Sequence, residues 1–117
     1  MFIKGRFTTM NEYIKAERSD KYWAASIKKR ETNLARVQVL GKKIETPCKL
    51  KMTWYRKSKS GSNFDLDGVV GVAKKHVLDG LVKANVIPND NYTHIKGFID
   101  EYVESKDEGV KIERVEE

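Results

Sequence analysis

Between Gly68 and Ala84 the residues Val69, Val72, Ala73, His76, Val77, Gly80, Leu81 and Ala84 recur at i, i+3 and i+4. That spacing predicts one amphipathic helix with a continuous apolar stripe. Asn85 suits a left-handed stop, and Pro88 bars continuation. Upstream, Leu50, Met52 and Trp54 alternate with Lys49, Lys51, Thr53 and Tyr55, which predicts a strand with one core face and one cationic face. Residues 2–8 read as a short strand, Thr8, Thr9 and Asn11 offer caps for a helix beginning near Glu12, and Ser19 and Asp20 open a longer helix to about Leu40, ended by Gly41. In that helix Trp23, Ile27, Leu34 and Val37 are expected toward the core, with Lys28, Lys29, Arg30 and Arg36 left for solvent or a ligand. The stripe lapses around Arg30 to Thr32, which predicts a break or a loosely packed stretch. Tyr92–Glu104, a Lys-Asp-Glu-Gly turn and Val110–Val115 read as a terminal β-hairpin.

The resulting order, β-α-α-β-α-β-β, predicts an α+β fold: a single domain over residues 1–117 with a small mixed β-sheet packed against helices. A chain of 117 residues can bury a core and is too short for two such domains. No run of eighteen apolar residues occurs and the first residues carry Lys4 and Arg6, so no membrane span or signal peptide is expected and the location expected is cytoplasmic. Cys48 is the only cysteine, and His76 and His94 are the only histidines. A disulfide framework or a thiolate-built zinc site is thereby excluded, and any metal must be held mainly by oxygen. His76, on the apolar stripe, reads as a satisfied core histidine, and Cys48 as a small hydrophobe.

Charge changes the picture. The chain carries a net +6, but residues 1–60 hold 16 basic and 5 acidic side chains whereas residues 61–117 hold 7 and 12. A basic half of this kind reads either as a binder of phosphate backbones or as a solvated face. The strand lysines Lys49 and Lys51, then Arg56, Lys57 and Lys59 toward the polar loop that follows, form the expected DNA track.

Asp65 and Asp67 stand as Asp-Leu-Asp just before the predicted helix, and Asp90 follows it in Pro-Asn-Asp-Asn. Taken singly, Asp67 reads as a helix cap and Asp90 as a turn residue. Together in a basic protein they read as carboxylates gathered for a hard dication such as Mg²⁺, which sets charge against a scissile phosphate. Asp90 reaches the first pair only if the strands bring both helix ends to one edge. A lysine steadying the phosphate's growing charge could be Lys74 or Lys75, between which spacing does not choose.

Three stretches resemble the RusA family of Holliday junction resolvases, particularly its phage and prophage members. They are Gly5-Arg6-Phe7 leading to Met10-Asn11-Glu12-Tyr13-Ile14 and Ala16-Glu17-Arg18; Met52-Thr53-Trp54-Tyr55; and Asp65-Leu66-Asp67 through Lys74-Lys75 to Leu78-Asp79-Gly80-Leu81-Val82-Lys83-Ala84 and Asn89-Asp90. The resemblance implies a homodimeric, Mg²⁺-dependent endonuclease, with Mn²⁺ as the alternative ion and no small-molecule cofactor. It would cut branched DNA, four-way junctions, by paired nicks in recombination and repair, in a bacterial host cell or encoded by a phage. It implies Asp65, Asp67 and Asp90 as metal-binding and catalytic acids and Lys75, four before Asp79, as the catalytic lysine. Asn11 and Lys74 would lie near DNA. The chain departs from the family pattern at Gly68, where Asn is common, at Asn89, where a second acid is common, and in a longer interval from Asp67 to Lys75. The competing expectation is a non-catalytic basic DNA-binding or architectural protein whose acids are only caps. The acidic C-terminal hairpin, with Phe98, Ile99, Tyr102 and Val103, is a candidate dimer interface or else a sheet edge packed on its own core.

Overall fold

The strand that begins after Pro47 organises the rest. In a computed structural model that describes residues 1–57 and 66–116, the side chains of residues 10, 11 and 66–70 excepted, the elements are β1 (Phe2–Lys4), α1 (Met10–Ser19), α2 (Lys21–Gln38), β2 (Cys48–Arg56), α3 (Leu66–Lys83), β3 (Ile95–Glu104) and β4 (Gly109–Val115). The sheet order is β1-β4-β2-β3. β2 is interior because Cys48, Leu50, Met52 and Trp54 alternate into the core, where they meet Ala35 of α2, Val39 just past its end, and Ala73, Val77 and Leu81 of α3. All three helices are on that side. Lys49, Lys51 and Tyr55 face the other way, as the alternation requires.

The two C-terminal strands do not form the hairpin that their spacing predicted. β3 pairs with β2 in parallel, Leu50 opposite Phe98 and Trp54 opposite Tyr102. β4 pairs with the other edge of β2 antiparallel, Met52 opposite Ile112. The most apolar strand takes an interior position, where it has a partner on both sides, and β3 and β4 are separated by it. The α+β class with a small mixed sheet is therefore as expected, with a β2-α3-β3 unit inside it. The backbone N–H of Ser105 still bonds the carbonyl of Arg56, closing the carboxyl ends of β2 and β3 together.

Local chemistry sets the helix ends. Thr9 caps α1, its hydroxyl accepting from the backbone N–H of Glu12, and Asp20 caps α2 through the N–H of Tyr22. Asn85 has φ 59°, while its own N–H bonds Val82 O and the N–H of Val86 bonds Leu81 O, a paired closure that needs one left-handed residue. Helix α2 does not break near Arg30. Its buried stripe is Ala24, Ile27, Glu31 and Ala35, whereas Trp23 and Val37, expected in the core, are nearly half exposed.

Glu31 explains the lapse in hydrophobicity. Its carboxylate, almost fully buried, accepts from the backbone N–H of Thr8, from the Thr8 hydroxyl and from Nδ1 of His76 at 2.9 Å. Burial opposes its ionisation, but the bonds from His76 and Thr8 outweigh that and hold its carboxyl below the ordinary value. His76 is thus the satisfied core histidine the stripe predicted.

Candidate functional site

Because β2 and β3 are parallel, α3 must run back along the sheet between them. Contact between Lys74 on α3 and Asp100 on β3 fixes the level at which they cross. The beginning of α3, and with it the backbone of Asp67, is therefore at the carboxyl end of β2. The end of α3 is near the start of β3, where Cys48 N–H bonds His94 O. Asp90 belongs to that second end. A helix of 18 residues is about 27 Å long. The condition for Asp67 and Asp90 to meet within one chain, both helix ends at one edge, is not fulfilled.

The carboxyl end of β2 is crowded with charge. Arg6 holds Glu12 through two nitrogens, at 3.1 and 2.5 Å, and stands 3.8 Å from Glu108. The bond to Glu12 raises the Arg6 guanidinium pKa despite partial burial, and the same bond lowers the Glu12 carboxyl. The backbone N–H of Lys57 meets Glu108 Oε1 at 3.4 Å, and Lys57, Glu104, Ser105 and Lys106 line a shallow cleft. Arg56 is not a surface cation. It is nearly buried, its Nη1 donates to Phe7 O at 2.9 Å, and burial pushes its pKa down while Glu108 opposes that shift. It ties the turn after β1 to the end of β2.

The other candidates scatter. Lys49 and Lys51 are on the open face of the sheet, Lys51 being 3.5 Å from Glu101. Lys59 and Asp65 lie outside the described residues, and Asn11 and Asp67 are described only by their helical backbone. The two lysines of α3 point differently. Lys75 is 65% exposed and 3.9 Å from Asp79, whereas Lys74 is 21% exposed with Nζ 2.5 Å from Asp100 Oδ2 and 4.4 Å from the centre of the Phe98 ring. Asp100 also accepts from Trp54 Nε1 at 3.0 Å. An acid at an inward-facing strand position is the signal for Asp100 in the sequence, hidden there by the hairpin reading.

Among the described residues no three His, Cys, Asp or Glu side chains come together to hold a metal ion. Asp90 nonetheless fits a hard cation: it is partly exposed, and its carboxylate takes part in no hydrogen bond or ion pair with the described residues. No described helix is long and apolar enough to cross a membrane. Compared with protein-family models, curated proteins and solved structures, the chain finds no match.

Proposed function

We propose that this chain is a Mg²⁺-dependent, structure-selective endodeoxyribonuclease of the RusA type that resolves four-way DNA junctions as a homodimer. The observation that carries the reading is the carboxyl end of β2, where Arg6, Lys57 and Lys106 gather and toward which the β2-α3-β3 topology turns the backbone start of α3. Acids at the edge of a cationic cleft are what hydrolysis of a polyanion's backbone needs, since the cations hold the phosphates that the acids alone would repel.

The length of α3 makes the dimer part of the site. Asp67 and Asp90, at opposite ends of an 18-residue helix, can share a cation only if they come from different subunits. A two-fold arrangement that sets the start of one α3 against the end of the other produces two such sites, one for each of the paired cuts. A Mg²⁺ or Mn²⁺ ion held there by carboxylate oxygens would supply charge neutralisation at the scissile phosphate. The chain's own contribution is positional: Arg6 and Lys57 bind the flanking backbone. The largely buried Lys74 is committed to Asp100, which leaves Lys75 as the lysine able to approach a phosphate.

The test is cleavage of a synthetic four-way junction with and without Mg²⁺, beside linear duplex. Asp67→Asn and Asp90→Asn should each abolish cutting and spare binding. When the two variants are mixed and allowed to exchange subunits, a composite site predicts that nicking returns, because each heterodimer then holds one intact pair. Acids acting within one chain predict no recovery. Junction binding without cleavage by the unsubstituted protein under every metal condition favours the architectural alternative.

A further inference from the structure

Along the outer face of α3 from Lys75, a residue the cleavage reading also uses, to Lys83, α2 and α3 enclose a second basic feature. Gly80 lets the helices approach so closely that an added Cβ would stand 2.6 Å from Ala35 Cβ and 2.9 Å from Thr32 O. On the outer side of this contact runs a groove in two adjoining parts of about 420 and 520 Å³, joined through Lys29, Thr32 and Lys83. Its cations are Lys28, Lys29, Arg30 and Arg36 on α2 and Lys75 and Lys83 on α3, and the only acid lining it among the described residues is Asp79.

Two of the groove's cations have an acidic neighbour, Arg30 at 3.7 Å from Glu31 and Lys75 at 3.9 Å from Asp79. In the groove Lys28, Lys29 and Lys83 have no ion pair among the described residues, and Arg36 turns to Asn33 Oδ1 at 2.8 Å. Gathering like charges in a concavity costs self-repulsion that a bound anion relieves. The α2 row of Ser26, Lys29, Asn33 and Arg36 continues backwards at helical spacing to Tyr22, which is 74% exposed with Lys21 Nζ 5.3 Å from its ring centre. A cationic track that ends in an exposed aromatic ring matches a strand of nucleic acid with an unpaired base. A bilayer is a poorer match: the groove is concave, and the apolar stripe of α2 is spent on the core.

We propose that the α2–α3 groove is a second nucleic-acid surface, one that takes a single-stranded sugar-phosphate backbone between its two rows of cations and stacks a splayed base on Tyr22. The inference does not rest on the cleavage reading, because binding here requires no metal. The test uses the full chain with fluorescently labelled oligothymidylate in EDTA, read by anisotropy over a salt series. Lys29→Gln with Lys83→Gln should weaken binding and lower the salt slope by about 0.7 for each phosphate no longer neutralised. Lys29→Arg should retain it, and Tyr22→Ala should weaken binding about tenfold with little change of slope. Lys4→Gln with Lys111→Gln, on the open sheet face, should change neither, and urea melts confirm that each variant folds. Asp67→Asn should bind as the unsubstituted chain does, so that loss of cleavage and loss of this binding are read apart. Equal weakening by the Lys4 and Lys111 pair, an unchanged slope in the groove variant, or binding to anionic vesicles without affinity for the oligonucleotide overturns the proposal.

Discussion

Lys74 and Asp100 join the middle of α3 to the middle of β3, with Nζ 2.5 Å from Oδ2 and both side chains about four-fifths buried. The same carboxylate takes the indole N–H of Trp54, so three elements meet on one acid. Removing the lysine leaves a partly desolvated carboxylate with one neutral donor. Lys74→Met should therefore cost about 1–3 kcal/mol, whereas Lys75→Met, which gives up only an exposed i,i+4 pair, should cost less than about 0.5 kcal/mol. Urea unfolding of the two variants at low and high salt measures the difference.

Glu31 should make stability fall in acid. Its folded pKa lies below the ordinary value of 4.5, so its contribution is fully present above that value and disappears as pH drops through the folded pKa. Glu31→Gln keeps the shape but loses the charge that His76 and Thr8 address, and should cost about 2–3 kcal/mol near neutral pH. The gap between the two proteins should narrow steadily below pH 4.5, as urea midpoints taken from pH 7 to pH 3 would record.

These two acids also mark how far the sequence could be read. The stripe of α3 from Ala73 to Leu81, the alternation of β2 and the cap at Asn85 are local patterns that reach the structure intact, whereas Trp23 and Val37, placed toward the core by the spacing of α2, are nearly half exposed. Glu31 interrupts a local pattern for a reason that lies elsewhere in the chain, at Thr8 and His76, so it registers in the sequence only as a flaw in α2. Asp100 was hidden by topology: with β3 and β4 read as a hairpin, nothing set its carboxylate against Trp54 and α3. The three acids of the resemblance were legible as residues, but the separation of Asp67 from Asp90 depends on β2 and β3 being parallel, which is a long-range fact.

Gly80 controls the spacing of α2 and α3. Alanine there would ordinarily favour a helix by about 1 kcal/mol. Here its Cβ would meet backbone of the other helix, Thr32 O at 2.9 Å and Arg36 N at 3.0 Å, which no rotamer change relieves. Gly80→Ala should therefore destabilise the protein by about 1–3 kcal/mol net, and Ala35→Gly should restore only part of that because the backbone contacts persist. Thermal unfolding of the single and double variants decides the point.

Thr32 sits at the same contact. Its residue is buried and its hydroxyl oxygen has no hydrogen-bond partner among the described residues, so folding strips water from a polar group and gives nothing back there. Valine has nearly the same shape and the same branching at Cβ, so the helix loses little by the exchange. Thr32→Val should then raise stability by about 1 kcal/mol, seen as a higher urea midpoint at an unchanged slope. A lower midpoint would mean that the hydroxyl is bonded in solution, through a water or through the carbonyl one turn before it, and that the floor between α2 and α3 is wetter than its burial implies.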